Sequence, residues 1–403
     1  MTETTLKELF AVIIAFAGSL FVALFSLPLV VKVASMRNLT DPPGPRKIQN
    51  RPIPTLGGIG IFAGFSFGFL MSINGFMDGV TYFTVATLFL FFVGMKDDLI
   101  TLDPRKRLIA EILAAIILIY FTNIRITSFQ GFLGISNIPV WLTYITTIFI
   151  FVVIINSINL IDGIDGLAAS TGIVSSVTLG IWFWLSENKT SAIMAAALTG
   201  TLIGFIRFNL GNGKNKLFMG DTGALIIGFI LAAMIVRFNE LNNSQATIHN
   251  LYSAPAISIA ILVVPLFDTL RVFTIRILRG IHPFTADNRH IHHLMLRAGY
   301  SHRRSTFFIS LAHILLIVLA FSLDHIGILW LALLLLVICI ALTGLIYILV
   351  YRNYISKNLE INEVDAGMIK LVSKLHGFLS GGGKALSLLQ SSVMNFSCSW
   401  MPG

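Results

Sequence analysis

Apolar stretches long enough to cross a lipid bilayer recur along most of this chain of 403 residues. A helix needs ~20 apolar residues to span a bilayer core of ~30 Å, and helices are favoured there because each satisfies its own backbone hydrogen bonds. The pattern therefore predicts an all-α, polytopic membrane protein with about eleven transmembrane helices. The predicted spans lie near residues 8–31, 55–74, 79–95, 108–122, 138–157, 167–186, 190–207, 222–238, 254–274, 305–323 and 325–350.

Composition supports this class, because 56% of the residues are hydrophobic and only 12% are charged, whereas a soluble domain carries roughly 25% charged residues. The formal net charge of +9 is explained by membrane topology. Nucleic acid is not an expected partner, since no basic run interleaved with aromatic residues lies outside the spans. Cys339 and Cys398 are far apart in the chain and predict neither a disulfide framework nor a zinc site.

The predicted orientation follows from Lys and Arg, which concentrate in loops that stay in the cytosol. With the amino terminus outside and the carboxyl terminus inside, every basic residue except Lys7, Arg125, Lys189 and Arg237 falls on the cytoplasmic side. Residues 1–352 are interpreted as one integral-membrane domain and residues 353–403 as a cytoplasmic tail. Within the tail, apolar residues at helical spacing predict an amphipathic helix on the membrane surface.

Alternating crossings bring four polar segments to this cytoplasmic side. They are Asp97-Asp98, the stretch from Asn156 to Asp165, the stretch from Phe218 to Asp221, and the stretch from His290 to His293. Carboxylates at the membrane boundary are costly and usually mark a functional site. The sequence therefore predicts one polar centre built from four separate connections.

The stretch from Asn156 to Asp165 carries the most information. Asn156 and Asn159, like Asp162 and Asp165, are three residues apart, so a helical continuation of the fifth span would place them on one face. Oxygen ligands of this kind suit Mg²⁺ or Mn²⁺ rather than zinc. The adjacent carboxylates of Asp97 and Asp98 have two equally good interpretations. They indicate either a metal or catalytic site or a capped helix end.

The remaining two segments leave alternatives open. Asp221 lies at the expected amino terminus of the eighth span, where simple capping also favours a carboxylate, and Phe218 can stack on a base or merely pack. The segment from Arg289 to His293 has three histidines that could bind a transition metal. Because several arginines surround it, an anion such as a diphosphate is the better partner.

Taken together, these motifs resemble those of the polyprenyl-phosphate N-acetylhexosamine-1-phosphate transferases, and most closely the bacterial undecaprenyl-phosphate N-acetylglucosamine-1-phosphate transferases. The resemblance covers about residues 10–350. It is carried in order by Pro45 to Gly58, Gly94 to Asp98, Asn156 to Ala168, Phe218 to Gly223 and Pro283 to His293. It implies transfer of a HexNAc-1-phosphate, most readily GlcNAc-1-phosphate, from a UDP-sugar to undecaprenyl phosphate at the inner face of a bacterial plasma membrane.

The resemblance also implies roles for individual residues. Catalytic carboxylates are expected at Asp97, Asp98, Asp162 and Asp165, and a Mg²⁺ site, open to Mn²⁺, at Asn159 and Asp221. The expected donor-binding side chains are Asn156, Asp165, Phe218, Arg289, His290, His292 and His293. The expected contacts to the lipid phosphate are Lys47, Arg51 and Lys106.

Other readings fit less well. A transporter would carry its carboxylates near the membrane midplane of broken helices, whereas these lie at loop depth. The residues around Asp165 and Asp221 do not fit a CDP-alcohol phosphotransferase or an intramembrane aspartyl protease. The identity of the HexNAc, a single or double displacement, and the oligomeric state are left open, although Ala195, Ala196, Ala197 and Gly200 would allow close helix packing in a homodimer.

Overall fold

A computed structural model describes residues 3–37, 39–41, 53–73, 79–132, 134–211, 215–244, 249–282 and 288–357. Within these residues the chain is all-α apart from two small antiparallel sheets, β1 (Thr40–Asp41) with β2 (Ile53–Pro54) and β3 (Ser128–Phe132) with β4 (Ile135–Asn137). The helices are α1 (Glu3–Met36), α2 (Gly57–Ser72), α3 (Val80–Leu99), α4 (Pro104–Thr122), α5 (Val140–Ile161), α6 (Leu167–Leu185), α7 (Lys189–Asn209), α8 (Gly220–Asn243), α9 (Ala254–Ile261), α10 (Val263–Leu278), α11 (Ile291–Arg297), α12 (His302–Ser322) and α13 (Ile328–Lys357), with a 3-10 helix at Asp324–Ile326.

Eight helices in the described part of the chain are long and apolar enough to cross a membrane, namely α1, α3, α5, α6, α7, α8, α12 and α13. The prediction of a polytopic, all-α membrane protein is confirmed. The predicted span at 254–274 is a broken one, because α9 and α10 are bent by 83°. The other two predicted spans correspond to α2, an apolar helix of 16 residues, and to α4, whose first turns carry the charges of Arg105, Lys106, Arg107 and Glu111.

The break between α9 and α10 has a local cause in Pro265. The carbonyl of Ile261 would normally accept a hydrogen bond from the residue four positions later, but proline has no N–H to donate. Ser175 Oγ donates to that carbonyl at 2.7 Å, and His313 Nε2 lies 2.9 Å from it. Side chains of α6 and α12 thus satisfy the backbone group that the bend exposes.

Helix α8 is the most deeply buried of the membrane helices. Every residue from Thr222 to Val236 is buried, as expected for a helix that is apolar on all sides. It packs against α2, α3, α5 and α6. Its amino-terminal end is therefore surrounded by the ends of neighbouring helices, and this is where the polar residues collect.

The small residues of α7 serve contacts inside the chain. Ala195, Ala197 and Gly200 are buried, and a side chain at Gly200 would strike the backbone of Phe16 in α1. Close packing between α7 and α1 accounts for the glycine. The homodimer therefore stays a prediction without support from this stripe.

The chain divides into two compact units, each described by itself. The first comprises Met1–Arg271 and Thr306–Leu335, and it contains α1 to α9 and both sheets. The second begins with Val272–Ser305 and resumes at Leu336; it contains α11, whose Arg297 carbonyl accepts a hydrogen bond from Asn353 Nδ2 at 2.8 Å. The predicted boundary at residue 353 stays a prediction, and the predicted tail helix lies outside the described residues.

Candidate active site

The start of α8 is held by a strand-like pairing with the segment that leads into α2. Phe218 N–H donates to the Pro54 carbonyl at 2.9 Å, while the Gly57 and Gly58 N–H groups donate to the carbonyls of Phe218 at 2.9 Å and Met219 at 2.8 Å. The two glycines allow this approach, because a side chain at either one would overlap the backbone around residues 218–223. The pairing fixes the turn that precedes Asp221.

Asp98, at the end of α3, caps the amino terminus of α8. Its Oδ1 accepts the Asp221 N–H at 2.7 Å, and its Oδ2 accepts the Thr222 hydroxyl at 2.5 Å and the Thr222 N–H at 3.2 Å. Free N–H groups at a helix start attract a carboxylate. Capping was one interpretation of Asp221 in the sequence, and in the structure the capping residue is Asp98.

With its backbone held by Asp98, the Asp221 carboxylate meets groups from two further helices. Its Oδ1 accepts a hydrogen bond from Arg107 Nη1 of α4 at 2.7 Å and another from Asn159 Nδ2 of α5 at 2.8 Å. The Asp221 side chain is 37% exposed. It is therefore anchored on one oxygen and still accessible to a ligand.

Arg107 continues this network into the protein. Its Nε donates to Glu111 Oε1 at 3.3 Å, and its Nη1 lies 3.7 Å from Asp97 Oδ2. Asp97 Oδ1 accepts the Leu102 N–H at 2.6 Å, and Glu111 Oε2 accepts from Asn156 Nδ2 at 2.5 Å. One guanidinium thus faces three carboxylates, those of Asp97, Glu111 and Asp221.

Asp162 differs from its neighbours because its carboxylate makes no hydrogen bond or ion pair with any residue that the structure describes. It follows the last residue of α5 and is half-buried. Burial raises the pKa of Asp162 well above its ordinary value, and the carboxylates of Asp221, Asp98 and Asp165 raise it further. The site therefore holds an unpaired acid among other acids.

Asp165 lies beside a lysine and an aromatic ring. Lys216 Nζ contacts Asp165 Oδ2 at 2.5 Å and lies 5.6 Å from the centre of the Phe218 ring. The Asp165 carbonyl accepts a hydrogen bond from the Thr306 hydroxyl at 2.7 Å. An acceptor, a donor and a half-buried ring are thus grouped at this edge of the site.

The expected helical stacking of the central stretch is correct for its first half. Asn156 and Asn159 lie in α5, but the helix ends at Ile161, and Asp162 and Asp165 lie in the turn that leads to Gly166. Gly166 has a φ of +80°, a conformation that glycine adopts readily. Because the helix stops, Asp162 and Asp165 lie on separate parts of a turn rather than on a continuous helix face.

The other predicted site residues are the basic residues and histidines of the expected lipid-phosphate and donor sites. Lys47 and Arg51 lie outside the described residues, and Lys106 is exposed. Arg289, His290, His292 and His293 belong to the second unit, where the His290 and His292 rings stack at 5.8 Å and both residues are buried. Their donor-binding role stays a prediction.

A divalent cation would need oxygen ligands at this site. No group of three or more His, Cys, Asp or Glu side chains with metal-binding geometry occurs among the described residues. Mg²⁺ often takes only one or two carboxylates and completes its shell with substrate phosphate and water. The accessible Asp221 carboxylate, the amide oxygen of Asn159 and the unpaired charge of Asp162 fit such an ion.

Comparisons with known proteins identify the family and the class of enzyme. The family model for glycosyl transferase family 4 matches residues 80–239. The undecaprenyl-phosphate alpha-N-acetylglucosaminyl 1-phosphate transferase of Yersinia pestis is 31% identical over 303 residues, which cover 74% of this chain and 81% of that protein. The chain belongs to glycosyl transferase family 4.

Two further relatives agree with this membership. The Salmonella typhi protein of the same name is 29% identical over 312 residues, or 77% of this chain and 81% of the relative. A probable undecaprenyl-phosphate N-acetylglucosaminyl 1-phosphate transferase of Bacillus subtilis is 30% identical over 308 residues, or 76% of this chain and 83% of the relative. The protein is accordingly an enzyme, a glycosyl-1-phosphate transferase with several membrane spans.

Three residues of the candidate site are not among those that the sequence predicts. The sequence predicts a role for Lys106 but none for its neighbour Arg107 or for Glu111, and Lys216 enters only through its charge on the cytoplasmic side. An ionisable residue inside an apolar helix is itself a signal, and Arg107 with Glu111 has the four-residue spacing of a helical ion pair. Lys216 gave no local signal, because its partner Asp165 is distant in the sequence.

Proposed function

We propose that this enzyme transfers a HexNAc-1-phosphate, most readily GlcNAc-1-phosphate, from a UDP-sugar to undecaprenyl phosphate and releases UMP. The observation that carries the proposal is the convergence of α3, α4 and α5 on Asp221 at the start of α8: Asp98 accepts its backbone N–H, and Arg107 and Asn159 donate to its carboxylate. The names of the relatives support undecaprenyl phosphate as acceptor and N-acetylglucosamine as the sugar. The UDP carrier is inferred from the family that the motifs resemble.

In the proposed reaction an oxygen of the lipid phosphate attacks the phosphorus bonded to the sugar. The new P–O bond forms as the bond to the bridging oxygen breaks, and UMP leaves with that electron pair. The nucleophile is a phosphate that is largely ionised near neutral pH, so little general-base catalysis is required. The main task of the protein is to hold two anions together, which requires positive charge.

Asp221 and Asn159 would hold the Mg²⁺, with Asp162 beside them. Bound there, the ion would neutralise charge on the diphosphate and on the leaving UMP. Asp98 would keep Asp221 in place through the backbone of α8. Arg107, which shares Asp221 Oδ1 with Asn159, would supply positive charge, and its planar guanidinium is suited to phosphate oxygens.

Asp165, Lys216 and Phe218 form the proposed base site. The Phe218 ring would stack on uracil, Asp165 would accept a hydrogen bond from the base, and Lys216 would donate one to a carbonyl or phosphate oxygen. The excess of Lys and Arg around these loops favours a site on the cytoplasmic face. The expected location is the plasma membrane of a bacterium.

The test is release of labelled UMP by purified protein in detergent. Mg²⁺, undecaprenyl phosphate and a UDP-sugar are supplied together and then omitted one at a time, across UDP-GlcNAc, UDP-GalNAc and UDP-FucNAc. Turnover that requires all three components and favours UDP-GlcNAc is expected. UMP release without the lipid phosphate, or no turnover with any donor by folded protein, would contradict the proposal.

A further inference from the structure

Glu111 is a buried carboxylate for which the proposed reaction has no direct use. Its side chain is 1% exposed and lies on α4 among Ala110, Ala114 and Ala115, which are also buried. Removing a carboxylate from water is expensive unless it is paired and hydrogen-bonded. A leucine would fill this position without the free-energy cost of desolvating a charge. The interactions of the carboxylate with its partners should therefore explain why a glutamate is found here.

Both oxygens of Glu111 have a partner at the active site. Oε1 accepts from Arg107 Nε at 3.3 Å and Oε2 accepts from Asn156 Nδ2 at 2.5 Å. Asn156 is held a second time, because its Nδ2 also donates to the Val152 carbonyl at 2.9 Å. Glu111 therefore connects the guanidinium on α4 with the amide on α5.

The two edges of the Arg107 guanidinium face different environments. Nε faces the buried Glu111, whereas Nη1 faces Asp221, which is 37% exposed. A substrate phosphate that arrives at the accessible side competes with Asp221 for Nη1. The hydrogen bonds of arginine to carboxylate and to phosphate are both charge-assisted and strong. The bond to Glu111 lies on the other edge and is not disturbed by that exchange.

We propose that Glu111 is a positioning residue, which anchors Arg107 through Nε so that Nη1 can pass from Asp221 to a phosphate oxygen of the substrate. This inference rests on the proposed function, because it needs a phosphate at the site. Without the anchor, Asp97 and Asp221 are the remaining carboxylate partners of Arg107. The position of its guanidinium then depends on these two side chains alone. The side chain then samples several positions, and the transition state loses a fixed positive charge.

The experiment compares Glu111→Gln with a matched variant, Glu240→Gln. Glu240 also accepts two hydrogen bonds, from Thr127 N–H and Thr127 Oγ1, each at 2.8 Å, but it lies near the carboxyl end of α8. Removal of an outer-shell partner that orients a metal ligand typically costs about 10- to 100-fold in affinity or activity, and we expect a loss of the same order for a partner that orients Arg107. We expect kcat of Glu111→Gln to fall at least tenfold, with smaller changes in KM, while Glu240→Gln keeps the wild-type rate.

A double-mutant cycle separates positioning from a purely structural role. In an Arg107→Met background there is no guanidinium left to position, so adding Glu111→Gln should lower kcat by less than twofold. Arg107→Lys is a second background in case Arg107→Met does not fold, because lysine keeps the positive charge but has no guanidinium Nε for Glu111 to anchor. Equal losses from Glu111→Gln with and without Arg107 would overturn the inference.

The two proposals fail in different ways. Wild-type protein that releases no UMP with lipid phosphate, Mg²⁺ and any donor contradicts the proposed function, and the role of Glu111 falls with it. Wild-type turnover together with a fully active Glu111→Gln variant contradicts the positioning role alone. Thermal unfolding of each variant in detergent identifies any loss of kcat that comes from loss of the folded protein.

Discussion

The residue that most distinguishes this site is Asp221, since it combines a fixed backbone with an accessible carboxylate. Its backbone N–H donates to Asp98 Oδ1 at 2.7 Å, and its own Oδ1 accepts hydrogen bonds from Arg107 and Asn159. The second oxygen is therefore left for a ligand from the accessible side. A neutral amide at this position would keep the shape and lose the charge.

We expect Asp221→Asn to fold and insert but to lose Mg²⁺-dependent UMP release by at least 100-fold, because the proposed metal site would lose its charged ligand. Initial rates across a Mg²⁺ titration provide the measurement. Asp103→Asn is the control: Asp103 caps α4 through the Arg105 N–H at 2.8 Å, and Asn caps equally well. Near-normal activity of Asp221→Asn would remove Asp221 from the metal site.

A second prediction at this scale concerns stability and Asp162. Because its pKa is raised in the folded protein, the native state binds the Asp162 proton more tightly than the unfolded state does. Ionisation of Asp162 as the pH rises from about 4 towards neutrality therefore costs stability, and the cost is relieved as the pH is lowered again. The proposed role of Asp162 in the reaction would therefore be in conflict with the stability of the protein.

Asp162→Asn should accordingly raise the unfolding temperature at neutral pH in the presence of EDTA, while it lowers turnover. The gain should shrink as the pH approaches 4, where wild-type Asp162 is protonated. Unfolding monitored by tryptophan fluorescence in detergent between pH 5 and pH 8 measures both trends. A variant less stable than wild type at pH 7.5 would show that the carboxylate has a stabilising partner.

At the scale of elements, the critical junction is the turn from Phe218 to Gly220 that starts α8. Gly220 has a φ of +72°, and an added side chain would meet the Thr55 carbonyl and the Asp98 carboxylate. The positive φ alone costs a residue other than glycine roughly 1–2 kcal/mol. An added side chain at Gly220 would also displace the Asp98 carboxylate, which caps α8.

We expect Gly220→Ala to abolish turnover and to destabilise the protein by more than the ~1–2 kcal/mol of a strained φ. Gly131 is a useful comparison, because its φ is +82° and nothing lies within contact distance of an added side chain. Gly131→Ala should therefore lose stability only and keep its kcat. Equal effects of the two substitutions on kcat, measured with the unfolding temperature of each, would show that the contact with Asp98 is unimportant.

The sequence predicted where helices begin better than where a membrane helix is bent. The position of Asp221 at the start of α8 was read correctly, because Gly220 follows a loop and precedes a long apolar run. The bend between α9 and α10 was missed, although Pro265 was visible, because a proline in a membrane helix can kink it or be accommodated. The Ser175 and His313 side chains that satisfy the Ile261 carbonyl come from distant helices and leave no local pattern.

At the scale of the whole molecule, periodicity and composition were enough to predict the class and the gathering of Asp97, Asp98, the central stretch and Asp221. They could not supply the ion pairs, since Arg107 with Asp221 and Lys216 with Asp165 join residues on different elements. Hydropathy reports burial, whereas pairing between elements depends on how helices are arranged. The orientation of the chain across the membrane is also a prediction for the whole molecule. Hydropathy predicts the spans, and the distribution of Lys and Arg predicts which side each loop lies on.

The test of orientation uses α4, because its ends should lie on opposite sides of the membrane. Its 19 residues reach ~28 Å at 1.5 Å per residue, close to the ~30 Å of a bilayer core, although its first turns are charged. In a background without the native cysteines, Ser136→Cys places a thiol on the predicted outer side and Thr101→Cys one on the inner side, and both residues are exposed.

A membrane-impermeant maleimide applied to intact spheroplasts should label Ser136→Cys at once and Thr101→Cys only after the membrane is permeabilised. That result would place the carboxylates of the site on the cytosolic face, where a nucleotide sugar is available. Labelling of both thiols from one side would mean that α4 does not cross. Labelling of Thr101→Cys alone would invert the whole orientation, and the distribution of Lys and Arg would then need another explanation.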